Sequence, residues 1–215
     1  MENNNKRLES HEVFDMVKFI VNENFNHHEI DDAKRNYAAE INSVYDEELT
    51  YGQNSEIHVE RDNYGSILGT IRVLKWNLVD PLPVHKIFGI NPLDHVNLGK
   101  VNDIFHFGRF AIRKNSPSLQ LFKKLIAAAI APVCQHRKNV AFAECDSKLF
   151  RTLSLLGIKM KVIGEPVQYL GSETIPVMIT YKGLIGFYSR SQETCVEKVA
   201  PVWENEYRPE LAFGV

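Results

Sequence analysis

One stretch limits the fold more than any other. Residues 102–145 read as a strand, "NDIFHFGRFAIRK" (102–114), a helix, "SPSLQLFKKLIAAAIAPVCQH" (116–136), and a second strand, "NVAFAEC" (139–145). A strand, a covering helix and a strand in that order form a right-handed crossover, which leaves the two strands parallel in one sheet. The helix starts where Ser116 can cap it and Pro117 can take the first helical position. Such a sheet is buried on both faces, so the rest of the chain must supply helices for each.

The flanking segments meet that demand. Ser10 can cap a helix through about Asn24, with Val13, Phe14, Val17, Ile20 and Val21 on one face. "EIDDAKRNYAAEINSVYDEEL" (29–49) is a second helix, capped by Asp31 or Asp32, with Tyr37, Ile41 and Val44 turned inward. The period then changes to that of strands in "EIHVER" (56–61) and "SILGTIRVLKW" (66–76), joined by the turn "DNYG". Pro81 and Pro83 mark an irregular passage leading to "VHKIFGI". "DSKLFRTLSLLG" (146–157) is a short helix closed by Gly157. "KMKVIGEPVQYLG" and "TIPVMITY" form a hairpin-like pair, and residues 182–215 are an extension of no definite pattern. The expectation is one α/β (α+β) domain with its core over about 29–181: a mixed central sheet flanked by helices on both faces.

Composition narrows the function. A chain of 215 residues can bury a core without disulfides or metals. The net charge of −2 gives no electrostatic case for nucleic acid. Cys134, Cys145 and Cys195 are odd in number and lack a C-x-x-C spacing, which argues for a reducing compartment. The longest apolar run, "LIAAAIAPV" (125–133), is too short to span a bilayer, and "MENNNKRLES" has no apolar signal core. The expected location is the cytoplasm. His27 and His28 are adjacent and share no helix face, so no metal site is expected.

The order of elements resembles the GCN5-related N-acyltransferase (GNAT) superfamily, and the residues resemble one branch of it. "YGSILGTIRVL" (64–74), then prolines and a short "KIF", then "HFGRFAI" (106–112) follow the pattern of the acyl-homoserine-lactone synthases and the long-chain N-acyl amino acid synthases. In that branch a "G-x-x-x-G-x-x-R-L-L" strand precedes an "E-x-S-R-F-A-V" strand. Arg35 matches the arginine of the early helix, Arg72 that of the first motif, and Arg109–Phe110 the "R-F" pair. The branch's strand glutamate is His106 here. Its early tryptophan falls near Tyr45, and its aspartates correspond only loosely to Asp46, Glu60 and Asp62. In the lactone synthases those acids help handle S-adenosylmethionine, so their alteration favours another amine acceptor, such as an amino acid. The acetyl-CoA branch carries a glycine loop that holds pyrophosphate on backbone N–H groups. Here that loop is "RKNSPSLQ" (113–120), which has no glycine, and this favours acyl carrier protein over CoA as donor.

The resemblance implies strands that splay apart at an acyl-pantetheine site, with no tightly bound cofactor. Transfer to an amine needs a proton acceptor, and His106 and Glu144 are the candidates. Gly108 is a candidate bulge or close-approach position in the catalytic strand. In strict alternation His106 and Arg109 point to opposite faces unless a bulge intervenes. Arg109, Arg72 and Arg35 are candidates to hold the acceptor; alternatively, Arg109 pairs with Glu144 or Asp146, and Arg72 forms a structural ion pair. Phe107, Phe110, Ile112 and Phe142 are the candidate acyl-donor contacts. Arg113, Lys114, Lys123, Lys124, Arg137 and Lys138 form either a carrier-protein docking cluster or a solvated helix face. Cys145 has no organised base beside it and reads as structural. The function expected is transfer of a medium or long fatty acyl chain to the amine of an amino acid. The alternatives are lactone synthesis, small-molecule acetylation from CoA, and a non-catalytic acyl sensor.

Overall fold

In the computed structural model, residues 10–27, 37–115, 118–169 and 172–196 are described. Asp31, Asp32 and Arg35, Ser116 and Pro117, and the 197–215 tail lie outside them. Helix α1 (Ser10–His27) and helix α2 (Tyr37–Tyr51) precede strands β1 (Ser55–Arg61) and β2 (Ile67–Lys75). The "VHKIF" segment is helix α3 (Pro83–Phe88), begun by Pro83 and stopped by Gly89 in the left-handed region. Strand β3 (Ile104–Ile112), helix α4 (Leu119–Cys134) and strand β4 (Val140–Asp146) form the expected crossover unit. Ser118 caps α4, accepting from the Leu121 N–H.

Helix α5 (Ser147–Leu155) is capped by Asp146, and at its far end Gly157 and Ile158 donate back to the carbonyls of Ser154 and Leu153. That reciprocal pair is the Schellman closure, with Gly157 in the left-handed region. Residues 159–171, expected as one strand, hold two short ones, β5 (Met160–Val162) and β6 (Val167–Tyr169). Both pair with β7 (Ser172–Thr180), because Gly164 and Pro166 interrupt the run between them. The extension that showed no pattern begins with helix α6 (Tyr181–Val196).

The sheet runs β1-β2-β3-β4-β7-β5, with β6 also on β7, and only the β3–β4 pair is parallel. Strand alternation sorts its side chains between two helical layers. Ile71, Val73, Phe105, Phe107, Ala141 and Ala143 face α4, α5 and α6, where Leu125, Ile130, Leu153, Leu184 and Phe187 close one core. On the other face α1 and α2 bury Met16, Val17, Ile20 and Val44 against Ile67 and Ala111. Tyr51, Leu82 and Val84 bury Leu74, Ile104 and Phe142 beside them. Among the described residues, no helix is long and apolar enough to cross a membrane.

Phe142 is fully buried between α2, α3 and the sheet. Phe142→Ala should therefore cost about 3–5 kcal/mol of unfolding free energy by urea denaturation.

Candidate functional site

The β2–β3 ladder loses register in its middle. Thr70 pairs with Ala111 and Arg72 with Gly108, so Arg109 and Phe110 together oppose Ile71 alone. Two residues against one is a β-bulge. Arg109 takes the strain, with φ at 55°. The bulge resets the alternation, and His106, Gly108 and Arg109 end on the same side as Arg72, facing α2. Gly108 itself is not the left-handed residue. Its part is space: a Cβ there would lie 3.0 Å from His106 Cε1 and 3.1 Å from Arg72 Nη2.

Beneath α2 these side chains join a buried charge cluster. Glu48 Oε1 accepts from Arg72 Nη1 at 2.5 Å and from Arg109 Nε at 2.7 Å. Arg109 Nη2 donates to Glu47, whose other oxygen accepts from Lys86 Nζ at 3.3 Å. Arg72 lies 5.0 Å over the Tyr51 ring and Lys86 4.9 Å over it, and the Tyr51 hydroxyl donates to the Pro81 carbonyl at 2.6 Å. Arg72 Nη2 is 3.3 Å from His106 Nδ1, and His106 Nε2 is 2.9 Å from Glu144 Oε2 and 3.0 Å from Oε1. Arg72 is 1% exposed, and His106 and the Glu48 side chain are fully buried.

Position in the cluster sets the electrostatics. Burial lowers the Arg72 pKa, and the neighbouring Arg109 adds to that, against the pull of Glu48. Burial disfavours the Arg109 cation too, but Glu48 and Glu47 outweigh it and hold that pKa above its ordinary value. Burial likewise pushes the Glu47 carboxyl up, yet Arg109, Arg72 and Lys86 together hold it below the usual carboxylate range. Burial raises the Tyr169 phenol on β6, against the lowering effect of the neighbouring Arg109 cation.

Past this cluster the sheet opens. β3 and β4 pair from Ile104↔Val140 to Phe107↔Ala143 and no further, although both strands continue. From there β3 stays with β2 and β4 with β7. A cavity of about 170 Å³ fills the gap. Its lining combines polar His106, Glu144 and Tyr169, beside Gly108, with apolar Phe107, Ile126, Ala129 and Leu153. Phe110 links it to an outer cavity of about 690 Å³ bounded by Ile112, Arg113, Phe122 and the starts of α4 and α5. On the α2 side lies a polar chamber of about 660 Å³, lined by Asp46, Glu47, Lys86, Gln168 and Tyr169.

Solved structures share this architecture. FeeM, an N-acyl amino acid synthase from uncultured soil microbes, superposes with a TM-score of 0.56 at 16% identity, over 78% of this chain and 90% of that one. BjaI, a CoA-dependent acyl-homoserine-lactone synthase solved with SAM and isopentyl-CoA, gives 0.56 at 13%, over 85% and 83%. TofI, in a ternary complex with an inhibitor and MTA, gives 0.52 at 15%, over 84% and 91%. The chain has the GNAT-like fold. No family model and no curated protein matches its sequence.

Within the GNAT-like fold the expected site residues divide. Phe107, Phe110, His106, Gly108, Arg109, Arg72 and Glu144 line the gap, and Ile112 lines the outer cavity. Phe142 lines neither: it points to the opposite face from Ala143 and lies in the core under Tyr51. Arg109 pairs with Glu47 and Glu48, not with Glu144 or Asp146, because the bulge turns it toward α2. The six basic residues do not form one patch. Arg113 and Lys114 sit near the outer cavity, while exposed Arg137 and Lys138 follow the C-terminus of α4, about 24 Å along the helix. Lys124 pairs with Glu60 at 2.7 Å. Cys145 faces the inner cavity, and burial, with Glu144 and Asp146 beside it, raises its thiol pKa, which suits a structural residue. No group of potential metal ligands occurs among the described residues.

Glu47 and Glu48 went unmarked in the sequence. Their one signal is spacing: Val44, Glu48 and Tyr51 share a helix face, so Glu48 stands where an apolar residue is expected.

Removing Glu48 leaves two buried guanidinium groups short of a partner, and Glu48→Leu should cost about 3–5 kcal/mol. Glu47 titrates below its unfolded value near 4.3, so its contribution is present above that pH and is lost as pH falls through the folded pKa. The Tm of Glu47→Gln, measured from pH 6 down to 3, should fall less steeply than that of the wild type.

Proposed function

We propose that this chain is an N-acyltransferase. It moves a medium or long fatty acyl chain from a pantetheine thioester, borne by acyl carrier protein or CoA, to the amine of an amino acid. The observation that carries the reading is the gap between β3 and β4, with a largely apolar lining and a histidine–carboxylate pair within it. An extended pantetheine arm can pair with strand edges that no longer pair with each other, while the alkyl chain fills the space beside Phe107, Ala129 and Leu153. The reacting carbonyl then lies by the polar lining residues, where the amine arrives from the polar chamber and the His106–Glu144 pair handles its proton.

The acceptor role of the arginines takes a different form from a free clamp. Both hydrogen-bonding edges used by Arg109 are occupied by α2 carboxylates. An acceptor carboxylate reaches Arg109 by exchanging with Glu47, which is partly exposed and shared with Lys86. Arg72, enclosed by Glu48 and Tyr51, keeps the strand and helix together. Carrier-protein docking falls to Arg113, which lines the outer cavity, and its neighbour Lys114 rather than to the whole basic set.

Mass spectrometry after incubation with short, medium and long acyl carrier proteins and acyl-CoAs, the amino acids and S-adenosylmethionine tests this. An N-acyl amino acid is the expected product. An acyl lactone, an acetylated amine or the absence of any product each contradicts it. Within the same assay, Ala129→Leu should shorten the preferred chain. Each methylene displaced from the cleft forfeits about 0.8 kcal/mol, roughly fourfold in kcat/KM for the longer donor.

A further inference from the structure

We infer that Glu144 takes the proton from the acceptor amine, and that His106 is a positioning residue locked in one tautomer by Arg72. This rests on the acyl-transfer reading above and assigns the parts within it.

The argument starts from what each atom can do. A guanidinium has donors and no acceptor. Arg72 Nη2 stands 3.3 Å from His106 Nδ1, so Nδ1 must present its lone pair and carries no hydrogen. A neutral imidazole then bears its hydrogen on Nε2. That nitrogen lies 2.9 and 3.0 Å from the two oxygens of Glu144, so it donates to the Glu144 carboxyl group, shared between both oxygens. Arg72 cannot turn away, for Glu48 holds Nη1 at 2.5 Å and Tyr51 covers the guanidinium at 5.0 Å.

The lock removes His106 from proton transfer. Its one lone pair is spent on Arg72, and the ring is fully buried. A second proton at Nδ1 would set two donors head to head beside a cation. Glu144 has the opposite character. Its side chain is 10% exposed, and it lines the gap where the thioester carbonyl would sit. A carboxylate offers about four lone-pair sites, and one N–H leaves the others for an amine. The charged and titratable groups near it are Arg72 and His106 from the sheet, Arg109 from the bulge, Glu47 and Glu48 from α2, Tyr169 from β6, and Cys145 and Asp146 on its own strand. Gly108 completes the arrangement, because a side chain there would press on both His106 and Arg72.

The step balances without another reagent. The amine, having shed its ammonium proton to water, attacks the thioester carbon and forms the C–N bond. Its nitrogen gives one proton to Glu144. Collapse of the tetrahedral intermediate breaks the C–S bond, and the electron pair leaves on sulfur. Glu144 passes its proton to that thiolate and ends ionised, as it began. The products are an amide and a free thiol.

Three variants and one spectrum test the assignment. Long-range ¹H–¹⁵N NMR of the wild type should place the His106 proton on Nε2; a proton on Nδ1 overturns the lock. Glu144→Gln should lose about 10²–10⁴-fold in kcat with the donor KM unchanged. His106→Gln keeps one acceptor and one donor in a planar group, and should stay within about tenfold of wild-type kcat. His106→Phe keeps neither and should lose about a hundredfold; melting curves check that both are folded. If His106→Gln falls as far as Glu144→Gln, or Glu144→Gln turns over normally, the assignment is wrong while acyl transfer stands. If the wild type transfers no acyl group to any amine, the acyltransferase reading fails and takes the assignment with it.

Discussion

Glu48 joins the layers of this fold. Its carboxylate sits on α2, fully buried, and accepts from arginines on two different strands. Three carboxylates (Glu47, Glu48 and Glu144) face three cations (Arg72, Arg109 and Lys86), so the cluster is balanced as long as His106 is neutral. That balance is what allows two guanidinium groups to be buried at all, since an unpaired charge there would cost several kcal/mol. The same contacts fix where α2 lies over the sheet, and with it the wall between the polar chamber and the gap.

The bulge at Arg109 turns a strand into part of a site. Ordinary alternation would have sent residues 106 and 109 to opposite faces. One extra residue against Ile71 brings both to the α2 side, and Arg109 takes a left-handed backbone to do so. A non-glycine residue in that region costs of order 1–3 kcal/mol and persists where its surroundings hold it there. Here the bonds to Glu47 and Glu48 do the holding.

Much of this was legible in the order of elements. The crossover from 102 to 145, the two early helices and the antiparallel β1–β2 pair follow from hydrophobic period and turn residues. The glycine and arginine in "HFGRFAI" marked the bulge, though not which of the two would adopt the unusual backbone. Glu48 was hidden because its role depends on a long-range partner, and helical spacing alone reads its position as apolar. Phe142 was misassigned because its strand position is one step out of phase with Ala143, which faces the gap. The pairing of His106 with Glu144 joins residues 38 apart across parallel strands, and only the register could reveal it. Helix α6 was missed because its apolar positions, Leu184 and Phe187 among them, are sparse within a polar segment.

The short parallel ladder has a mechanical side. Four residue pairs, 104–107 with 140–143, join the β1–β3 half of the sheet to the half built on β4, β7, β5 and β6. Beyond them the halves diverge like two arms from a common pivot. Loads applied at the open end act on that pivot with leverage, and the hydrogen bonds nearest Phe107 and Ala143 bear most of it. Stiffness at this seam, as much as the volume beyond it, sets how far the two halves can spread before the pivot begins to unzip.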